Sequence, residues 1–297
     1  MRGAAGAGSL YVVATPIGNL SDISPHALEV LRSVQLVLAE DTRYSKRLLQ
    51  RYGIDVPLLS FHKFNERNRA EQVLQRILDE GIDAAIISDA GTPCISDPGA
   101  EIVRRARENG VPVFGVSGPS AIVTAVSVSG LPAREFTFLG FLPRDRGEQK
   151  ETFQSIKERR LSTFVIYESP RRIRALAAAL LEEFPEAQVC FCCELTKKHE
   201  RSYYGPISEV AERLESDPMA ERGEYTVVAH VEHAPPEAPA TEQGLSKEAL
   251  LVQTMVQRGC SLKEAVASVA AEAGVPRKEI YRAGLHLKSL LRGEKDE

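Results

Sequence analysis

The residues best suited to chemistry stand in short polar segments that directly follow apolar runs. One of them, residues 39–46, places Asp41 and Arg43 behind a predicted strand. A carboxylate such as that of Asp41 can orient a hydroxyl group or accept its proton, and the planar guanidinium of Arg43 can grip a phosphate. The same pattern is also typical of a helix start with Asp41 as its N-cap. The sequence leaves both interpretations open.

A longer polar segment, residues 88–99, follows another short apolar run and is stiffened by glycines and prolines. The pattern after it predicts a helix over residues 100–109, with Asp97 as its N-cap and Pro98 in its first turn. The segment therefore lies at the carboxyl end of a strand in a β-α-β unit. Ligands commonly bind at such places in open α/β sheets.

Two tighter turns follow other predicted strands. Residues 15–20 contain Pro16 and Gly18, which allow a tight turn and a close approach of the backbone to a ligand. A plain surface turn is the alternative for this segment. Residues 117–121 open a helix whose free N–H groups can face a ligand. The side chains in the interior of that helix are small and apolar. They can shape a binding site but have no catalytic groups of their own.

Residues 194–200 combine acidic, basic and cationic side chains. Lys197 can hold a developing negative charge, and the imidazole of His199 can accept a proton. An ordinary surface position is the alternative for His199, and also for His62 earlier in the chain.

Several familiar catalytic patterns are absent from the sequence. No Gly-x-Gly-x-x-Gly follows a strand, and no Gly-x-x-x-x-Gly-Lys-Ser/Thr occurs. A Ser-His-Asp order and a His-Glu-x-x-His motif are also lacking, which argues against nucleophilic or metal-assisted hydrolysis. The five cysteines, three of them in residues 189–193, do not have the spacing of a zinc knuckle. We therefore expect no metal and a reduced, cytoplasmic protein.

The composition is that of an ordinary soluble protein, with 43% hydrophobic and 26% charged residues. No apolar run is long enough to span a bilayer, so we expect no membrane partner. The start of the chain, residues 1–9, is expected to be a frayed tail rather than a secretion signal. The net charge of −4 does not by itself indicate nucleic-acid binding. Residues 245–292, however, hold eight Lys/Arg against four Glu, which is compatible with a phosphate partner.

Strands and helices alternate from residue 10 to about residue 231, which predicts α/β layers with mostly parallel strands. We expect an N-terminal α/β domain over residues 1–117 and a second α/β domain over residues 118–233. Residues 234–245 are rich in proline and typical of a linker. Residues 246–292 predict a helix-turn-helix module, with a capping box at residues 261–264 and a turn at Gly274.

Taken together, these segments resemble the tetrapyrrole methylase superfamily. Within it they resemble the bacterial branch that methylates a cytidine ribose in small-subunit ribosomal RNA. The resemblance covers roughly residues 10–231, and the linker with the helix-turn-helix fits the same branch. The matching segments are Val13-Ala-Thr-Pro-Ile-Gly-Asn-Leu-Ser-Asp-Ile23, Ala39-Glu-Asp-Thr-Arg43, Ser88-Asp-Ala-Gly-Thr-Pro-Cys-Ile-Ser-Asp-Pro-Gly99, Ser117-Gly-Pro-Ser-Ala121, Phe138-Leu-Gly-Phe-Leu-Pro143, Tyr167-Glu-Ser-Pro-Arg-Arg172 and Glu194-Leu-Thr-Lys-Lys-His-Glu200.

One segment departs from the porphyrin-modifying members of the superfamily. Their first turn is a Gly-x-Gly-Pro-Gly-Asp sequence, whereas here it is Ala14-Thr-Pro-Ile-Gly18. This departure argues against a corrin or porphyrin substrate.

The resemblance implies two α/β domains with S-adenosylmethionine in the cleft between them, and a homodimer. By motif, the cofactor would be bound by residues 15–20, 88–99 and 117–121 and by the second domain. The residues so implied are Pro16, Asp89, Gly91, Thr92, Pro93, Ser120, Ala121, Tyr167, Leu195 and Ala229.

The reaction implied by the resemblance is attack of a ribose 2′-oxygen in the decoding region of 16S ribosomal RNA on the sulfonium methyl group. The protein must then position the reactants and accept a proton. Asp41 is the first candidate for the base, followed by His199 and Lys197, and Lys197 is alternatively the group that holds the alkoxide. The cations expected to contact RNA are Arg43, Lys46, Lys63, Arg277, Lys278, Arg282 and Lys288.

Other interpretations stay open at this point. The chain could be a small-molecule methyltransferase of the same fold, or a regulator that binds nucleic acid and uses the α/β body as a ligand sensor. The helix-turn-helix could pack a dimer instead of binding RNA.

Overall fold

The computed structural model describes residues 8–233, 246–272 and 276–292 of the chain. The described residues up to Glu232 form one unit and those from His233 onward form another. The first half of the first unit alternates strands with helices. Its elements are β1 (Leu10–Val13), α1 (Pro25–Ser33), β2 (Leu36–Ala39), α2 (Thr42–Arg51), β3 (Leu58–Ser60), α3 (Glu66–Asp79), β4 (Ala84–Ile87), α4 (Ala100–Glu108) and β5 (Val113–Val116).

The five strands of this half form a parallel sheet in the order β3-β2-β4-β1-β5. Every residue of β2 and β4 is buried, as expected for parallel strands that are covered by helices on both faces. Because β4, β1 and β5 are neighbours and parallel, their carboxyl ends lie at one edge of the sheet. The loops that leave this edge are three of the segments that the sequence singled out.

Local signals explain where several of these elements begin and end. Ser24 is the N-cap of α1, its Oγ accepts from the backbone N–H of Ala27 at 3.0 Å, and Pro25 follows in the first turn. Gly81 and Gly110 follow α3 and α4 with φ values of +68° and +73°, the conformation that favours glycine after a helix.

The second half of this unit follows the first along the chain. It carries the elements α5 (Ala121–Ser129), β6 (Thr137–Phe141), α6 (Arg146–Glu158), β7 (Thr163–Glu168), α7 (Ile173–Glu183), β8 (Gln188–Cys193), β9 (Arg201–Pro206), α8 (Ile207–Ser216) and β10 (Tyr225–His230).

The second sheet has the order β6-β7-β10-β8-β9, and only β6 and β7 are parallel. The expectation of mostly parallel strands is therefore wrong for this half. The segment between β8 and β9, residues 194–200, holds no crossover helix, so the two strands pair as antiparallel neighbours. The α/β class itself and the two-sheet architecture are confirmed.

Apolar side chains fill both faces of each sheet. In the first sheet, one core lies under α3 and α4 and the other under α1 and α2. In the second sheet, the larger core lies under α6, α7 and α8. The smaller core contains Ile122 and Ala125 of α5, Val165 and Val228 of the sheet, and Ile17 from the loop after β1. This last cluster joins the two halves by apolar contact.

The C-terminal unit is built from α9 (Lys247–Arg258), α10 (Leu262–Glu272) and α11 (Arg277–Arg292). Its core includes Leu251, Val266 and Ile280. The predicted capping box is present: the backbone N–H of Ser261 donates to Glu264 Oε2 at 2.8 Å, and the N–H of Glu264 donates to Ser261 Oγ at 3.4 Å. The predicted turn at Gly274 lies outside the described residues, as does the predicted linker 234–245.

The prediction of a frayed tail over residues 1–9 is wrong for Gly8 and Ser9, which are held by hydrogen bonds. Residues 1–7 lie outside the described part, but the backbone N–H of Gly8 donates to Ile77 O at 3.0 Å and that of Ser9 to Asp83 Oδ1 at 2.8 Å. Across the described ranges, no helix combines the length and the apolar character that a membrane crossing requires.

Candidate active site

The loops after β1, β4 and β5 are joined by hydrogen bonds at the carboxyl edge of the first sheet. Thr15 and Gly91 exchange two backbone bonds, Thr15 N to Gly91 O at 2.8 Å and Gly91 N to Thr15 O at 3.1 Å. Ser88 Oγ donates to Gly91 O at 3.0 Å, and Thr92 Oγ1 donates to Pro119 O at 3.2 Å. Three segments that are far apart in sequence therefore form one rigid rim.

Two glycines allow this close approach. Gly91 has φ +84°, and a Cβ on it would lie 3.2 Å from Ile17 Cγ2. A Cβ on Gly118 would lie 3.0 Å from Ala14 Cβ. Any larger residue would push the loops after β4 and β5 away from the loop after β1.

A cleft of about 460 Å³ opens between this rim and the second sheet. Such a volume is typical of a site for a small organic molecule. Both sheets contribute to its wall. The lining residues are Ile17, Asp89, Ala90, Gly91, Thr92, Ile95, Ser96, Asp97, Ser120, Ala121, Ile122, Phe141, Tyr167, Glu168, Ser169, Pro170, Glu194, Leu195, Lys197, Glu224, Tyr225 and Thr226.

Most of the cofactor-binding residues that the sequence suggested lie in this wall. Three do not, namely Pro16, Pro93 and Ala229. Ala229 is fully buried in the larger core of the second sheet. The start of β10, at Tyr225 and Thr226, reaches the cleft instead, because the strand runs from the cleft edge into the core.

Asp97 does not cap α4, which corrects the prediction from the sequence. The N-cap is Gly99 with φ +133°, and it makes no side-chain capping bond. Glu66, at the start of α3, supplies the cap: its Oε1 accepts from the N–H of Gly99 at 2.8 Å and from that of Glu101 at 3.2 Å. Asp97 lines the cleft instead.

The carboxylates on the first-sheet side of the cleft share an electrostatic environment that favours their protonated forms. Burial, and then the charge of Asp89, raise the pKa of Asp97 above its ordinary value. Burial also raises the pKa of Asp89, as does the nearby charge of Asp41. The pKa of Glu40 rises for the same reasons, with Asp97 and Asp89 as the neighbouring charges.

An aromatic wall faces these carboxylates from the second sheet. Tyr167 packs against Phe138 and Phe141, with ring centroids 4.8 Å and 5.6 Å apart. Burial, with the charge of Asp97, raises the pKa of Tyr167 to about 12. Phe141 is 60% exposed and lines the cleft, so a flat aromatic ligand group can stack against this wall.

Lys197 forms the centre of a charged cluster at the other end of the cleft. Its Nζ lies 2.8 Å from Glu194 Oε1 and 2.8 Å from Glu224 Oε2. Burial opposes the charge of Lys197, but the hydrogen bonds with the two carboxylates raise its pKa. Lys197 is therefore a cation and a donor rather than a proton acceptor at neutral pH.

The backbone of this segment is held in an uncommon conformation. Glu194 and Thr196 have φ values of +55° and +65°, which costs on the order of 1–3 kcal/mol per residue and is frequent at functional sites. The N–H of Asn19 donates to Thr196 Oγ1 at 3.1 Å, and a Cβ on Gly18 would lie 2.3 Å from Lys197 Cγ. The turn after β1 thus contacts the 194–200 segment directly.

His199 is exposed and does not line the cleft. His199 thus occupies the ordinary surface position that the sequence left open. Lys197, two residues earlier, lines the cleft instead.

Asp41 is the N-cap of α2, as the alternative interpretation of its segment predicted. Its Oδ1 accepts from the N–H of Arg43 at 2.8 Å, and Oδ2 lies 3.1 Å from the Arg43 guanidinium. These hydrogen bonds lower the pKa of Asp41. A carboxylate stabilised in this way is a poor proton acceptor, and Asp41 is absent from the cleft wall.

The cations expected to bind RNA are exposed. Arg43 and Lys46 lie on α2, and Lys63 follows β3. In the C-terminal unit, the same holds for Arg277, Lys278, Arg282 and Lys288, all on α11.

Sequence reasoning missed several residues of the wall, chiefly Ile17, Phe141, Glu168 and Glu224. Glu168 ends β7 and is followed by a polar Ser-Pro segment, which is the same signal that identified the loops of the first sheet. No local pattern in the sequence marked Glu224 as part of a site. Glu224 comes close to Lys197 because β8 and β10 pair as antiparallel strands.

Two α/β halves with a ligand-sized cleft between them are the fold of the tetrapyrrole methylases, a class of methyltransferases. The family model for tetrapyrrole (corrin/porphyrin) methylases matches residues 9–211. A similar fold is found in uroporphyrin-III C-methyltransferase from Thermus thermophilus complexed with S-adenyl homocysteine, with a TM-score of 0.51 and 19% sequence identity. That alignment covers 75% of this chain and 97% of the other.

Two curated relatives are similar over almost their whole length. Ribosomal RNA small subunit methyltransferase I of Pseudomonas aeruginosa is 41% identical over 94% of this chain and 97% of its own. The protein of the same name from Bacillus subtilis is 37% identical, covering 95% of each chain. The chain belongs to the tetrapyrrole methylase family, in the group of ribosomal RNA small subunit methyltransferase I proteins.

S-adenosylmethionine is the methyl donor of this family and the cofactor of this chain. The residues of the cleft fit such a molecule. Carboxylates outnumber cations in the wall, which suits the positive sulfonium and ammonium groups. The N-terminus of α5 at Ser120, which makes no side-chain capping bond, leaves N–H donors for a polar group of the ligand.

Proposed function

We propose that this chain methylates the ribose 2′-oxygen of a cytidine in the decoding region of 16S ribosomal RNA. The observation that carries the proposal is the cleft itself, in which a small-molecule site adjoins the charged Lys197 cluster. The names and the near-complete coverage of the relatives support the same substrate class.

In this proposal the loops of the first sheet hold the cofactor, with help from the second sheet. S-adenosylmethionine, when bound, supplies a methyl group that is already activated for transfer. The main task of the protein is then to bind, orient and exclude water. The residues assigned to cofactor binding are Asp89, Gly91, Thr92, Ser120, Ala121, Tyr167 and Leu195.

Asp97 is the proton acceptor in this proposal. It lines the cleft, and its raised pKa makes it more basic than an ordinary aspartate. Asp41 and His199, the candidates from the sequence, are less suitable, because Asp41 caps α2 and His199 lies outside the cleft wall.

Lys197 stabilises the oxygen as it loses its proton. The two carboxylates that flank its ammonium group fix its position, and one of its protons can still reach a ligand oxygen in the cleft. A fixed donor of this kind needs no reorganisation during the reaction.

The exposed cations contact the phosphates of the RNA. Arg43 and Lys46 in α2 and Lys63 after β3 follow strands of the first sheet, while the cations of α11 add affinity from the C-terminal unit. Duplex RNA has a major groove too narrow for a helix, so phosphate and shape contacts are expected from α11 rather than base readout. Ribosomal RNA as the substrate agrees with the expected cytoplasmic location of the protein.

A homodimer is part of the proposal. Phe114 on the edge strand β5 is 42% exposed, and Val123 and Val128 on the following helix α5 are 60% and 55% exposed. Natural proteins seldom leave an apolar sheet edge open to solvent, and a second copy would cover it.

The domain boundaries at residues 117/118 and 233/234 are also proposed.

Transfer of tritium from methyl-labelled S-adenosylmethionine tests the function. Purified protein is offered small-subunit particles, naked 16S RNA and a porphyrin in parallel reactions. Label in RNA, mapped by nuclease digestion to a 2′-O-methylcytidine of the decoding region, is the expected result. Label in the porphyrin would favour a small-molecule methyltransferase, and cofactor binding without transfer to any substrate would favour a ligand sensor.

A further inference from the structure

An aromatic side chain near the cleft edge is almost completely exposed. Phe64, in the turn between β3 and α3, is 96% exposed, more than any other large apolar residue in the described part of the chain. A phenyl ring held in water loses the free energy that burial would provide. Its exposure therefore suggests that a partner covers it.

The turn that carries Phe64 is rigid. The backbone N–H groups of Asn65 and Glu66 both donate to His62 O at 2.9 Å. The Asn65 side chain accepts from His62 N at 2.8 Å and donates to Ser60 O at 3.2 Å. Phe61, 1% exposed, anchors the start of the turn in the core. The ring of Phe64 is thus presented by an ordered turn rather than left out by a loose one.

The surroundings of Phe64 are basic. Segment 63–69 holds three cations, Lys63, Arg67 and Arg69, and one carboxylate, Glu66. Glu66 is engaged in capping α4. Helix α2 holds four more cations and no carboxylate, in a chain whose net charge is −4. This local excess of positive charge attracts a polyanion such as a nucleic-acid backbone.

The position of Phe64 relative to the cleft fits a strand of RNA. Strand β2 separates β3 from β4, so the turn after β3 lies two strand spacings, about 10 Å, along the sheet edge from the loop that lines the cleft. Helix α2 follows β2 and starts at the same edge of the sheet. Because β2 lies between β3 and β4, the start of α2 lies between the turn after β3 and the cleft loop after β4.

We propose that Phe64 stacks against an unpaired base of the RNA substrate beside the nucleotide that enters the cleft. Lys63 and Arg67 hold the flanking phosphates. Exposed aromatic rings among cations are how proteins bind single-stranded nucleic acid, since every base has a face on which a ring can stack. The inference rests on the proposed function, because it assigns the RNA-binding surface of the same site.

Phe64→Ala, Phe64→Tyr and Lys63→Ala test the inference in the full-length protein. Binding of 16S RNA and of small-subunit particles is measured at several salt concentrations. Phe64→Ala should weaken RNA binding roughly 5- to 150-fold and leave the salt dependence unchanged, because no phosphate contact is lost. Phe64→Tyr should retain wild-type affinity. Lys63→Ala should lower the slope of log affinity against log salt by about 0.7.

Tyr204→Ala is the matched control, since Tyr204 is an exposed aromatic residue on β9, 54% exposed and outside the basic surface. It should bind RNA like the wild type. Wild-type affinity in Phe64→Ala would overturn the inference. So would a change in oligomeric state for Phe64→Ala, because the ring would then serve a protein contact. Absence of RNA methylation by the wild-type protein would instead refute the proposed function.

Discussion

At the residue scale, Asp97 gives the cleft its acid–base character. Its carboxylate faces a partly enclosed volume beside Asp89, and both burial and that neighbour raise its pKa. The charged form of Asp97 is therefore less stable in the folded protein than in the unfolded chain. A stability cost of this kind is common where a residue serves chemistry rather than folding.

Asp97→Asn should raise the thermal stability at neutral pH and abolish methyl transfer. The sign follows from the raised pKa: the folded state holds the Asp97 proton more tightly, so wild-type stability falls as pH rises through that pKa. The gain in melting temperature should thus be present above the folded-state pKa and vanish below the ordinary value of 3.8. Melting curves between pH 3 and pH 8 measure it.

Asp41→Asn is the control for the chemical half of this prediction. Asparagine is as good an N-cap as aspartate, so the start of α2 should remain intact. Single-turnover methylation by Asp41→Asn should stay within a few-fold of wild type. A complete loss in Asp41→Asn, with normal transfer in Asp97→Asn, would return the role of base to Asp41.

At the element scale, the sequence predicted the strands that carry the site better than the elements around them. Apolar runs followed by Gly/Pro-rich polar segments identified β1, β4 and β5 and the loops behind them. The short strand β3 and the pair β9 and α8 were not predicted, and the start of helix α2 at Asp41 was only one of two interpretations of its segment. The strands β3 and β9 are short or strongly polar, so tertiary contacts rather than a local apolar pattern stabilise them.

The loop after β4 depends on the backbone of Gly91. Gly91→Ala should destabilise the protein by about 1–3 kcal/mol through its positive φ and, in addition, weaken cofactor binding, because the added Cβ meets Ile17 and moves the rim. Chemical denaturation and calorimetric titration with S-adenosylmethionine measure the two effects.

Gly110→Ala separates strain from site geometry. Gly110 has φ +73°, and a Cβ on it would meet no atom within 4 Å. The variant should lose a similar amount of stability yet bind the cofactor normally. Equal loss of cofactor affinity in both variants would show that the effect of Gly91→Ala is global destabilisation.

At the scale of the whole molecule, the two units allow the roles of cofactor binding and RNA binding to be divided. The C-terminal unit has its own apolar core and an exposed set of cations on α11. The sequence could not decide whether these helices bind RNA or pack a dimer, because both uses require an amphipathic helix with a polar face.

Removal of residues 246–297 should weaken RNA binding and reduce its salt dependence, while affinity for S-adenosylmethionine stays unchanged. The physical reason is that the deleted cations neutralise phosphates, whereas the cleft lies entirely in the first unit. RNA filter binding and analytical ultracentrifugation measure the outcome. Loss of the dimer with unchanged RNA affinity would assign the C-terminal helices to dimer packing.

The sequence by itself determined the α/β class, the strand-end loops and most of the first-sheet wall of the cleft. These features depend on local patterns: apolar runs make buried strands, and Gly and Pro mark the turns at their ends. Only the tertiary structure decided that Asp97 lines the cleft and does not cap a helix. Glu66 reaches from α3 to cap α4 in its place, while β-sheet pairing brings Glu224 to Lys197. Such contacts join residues distant in sequence, and no local pattern encodes them.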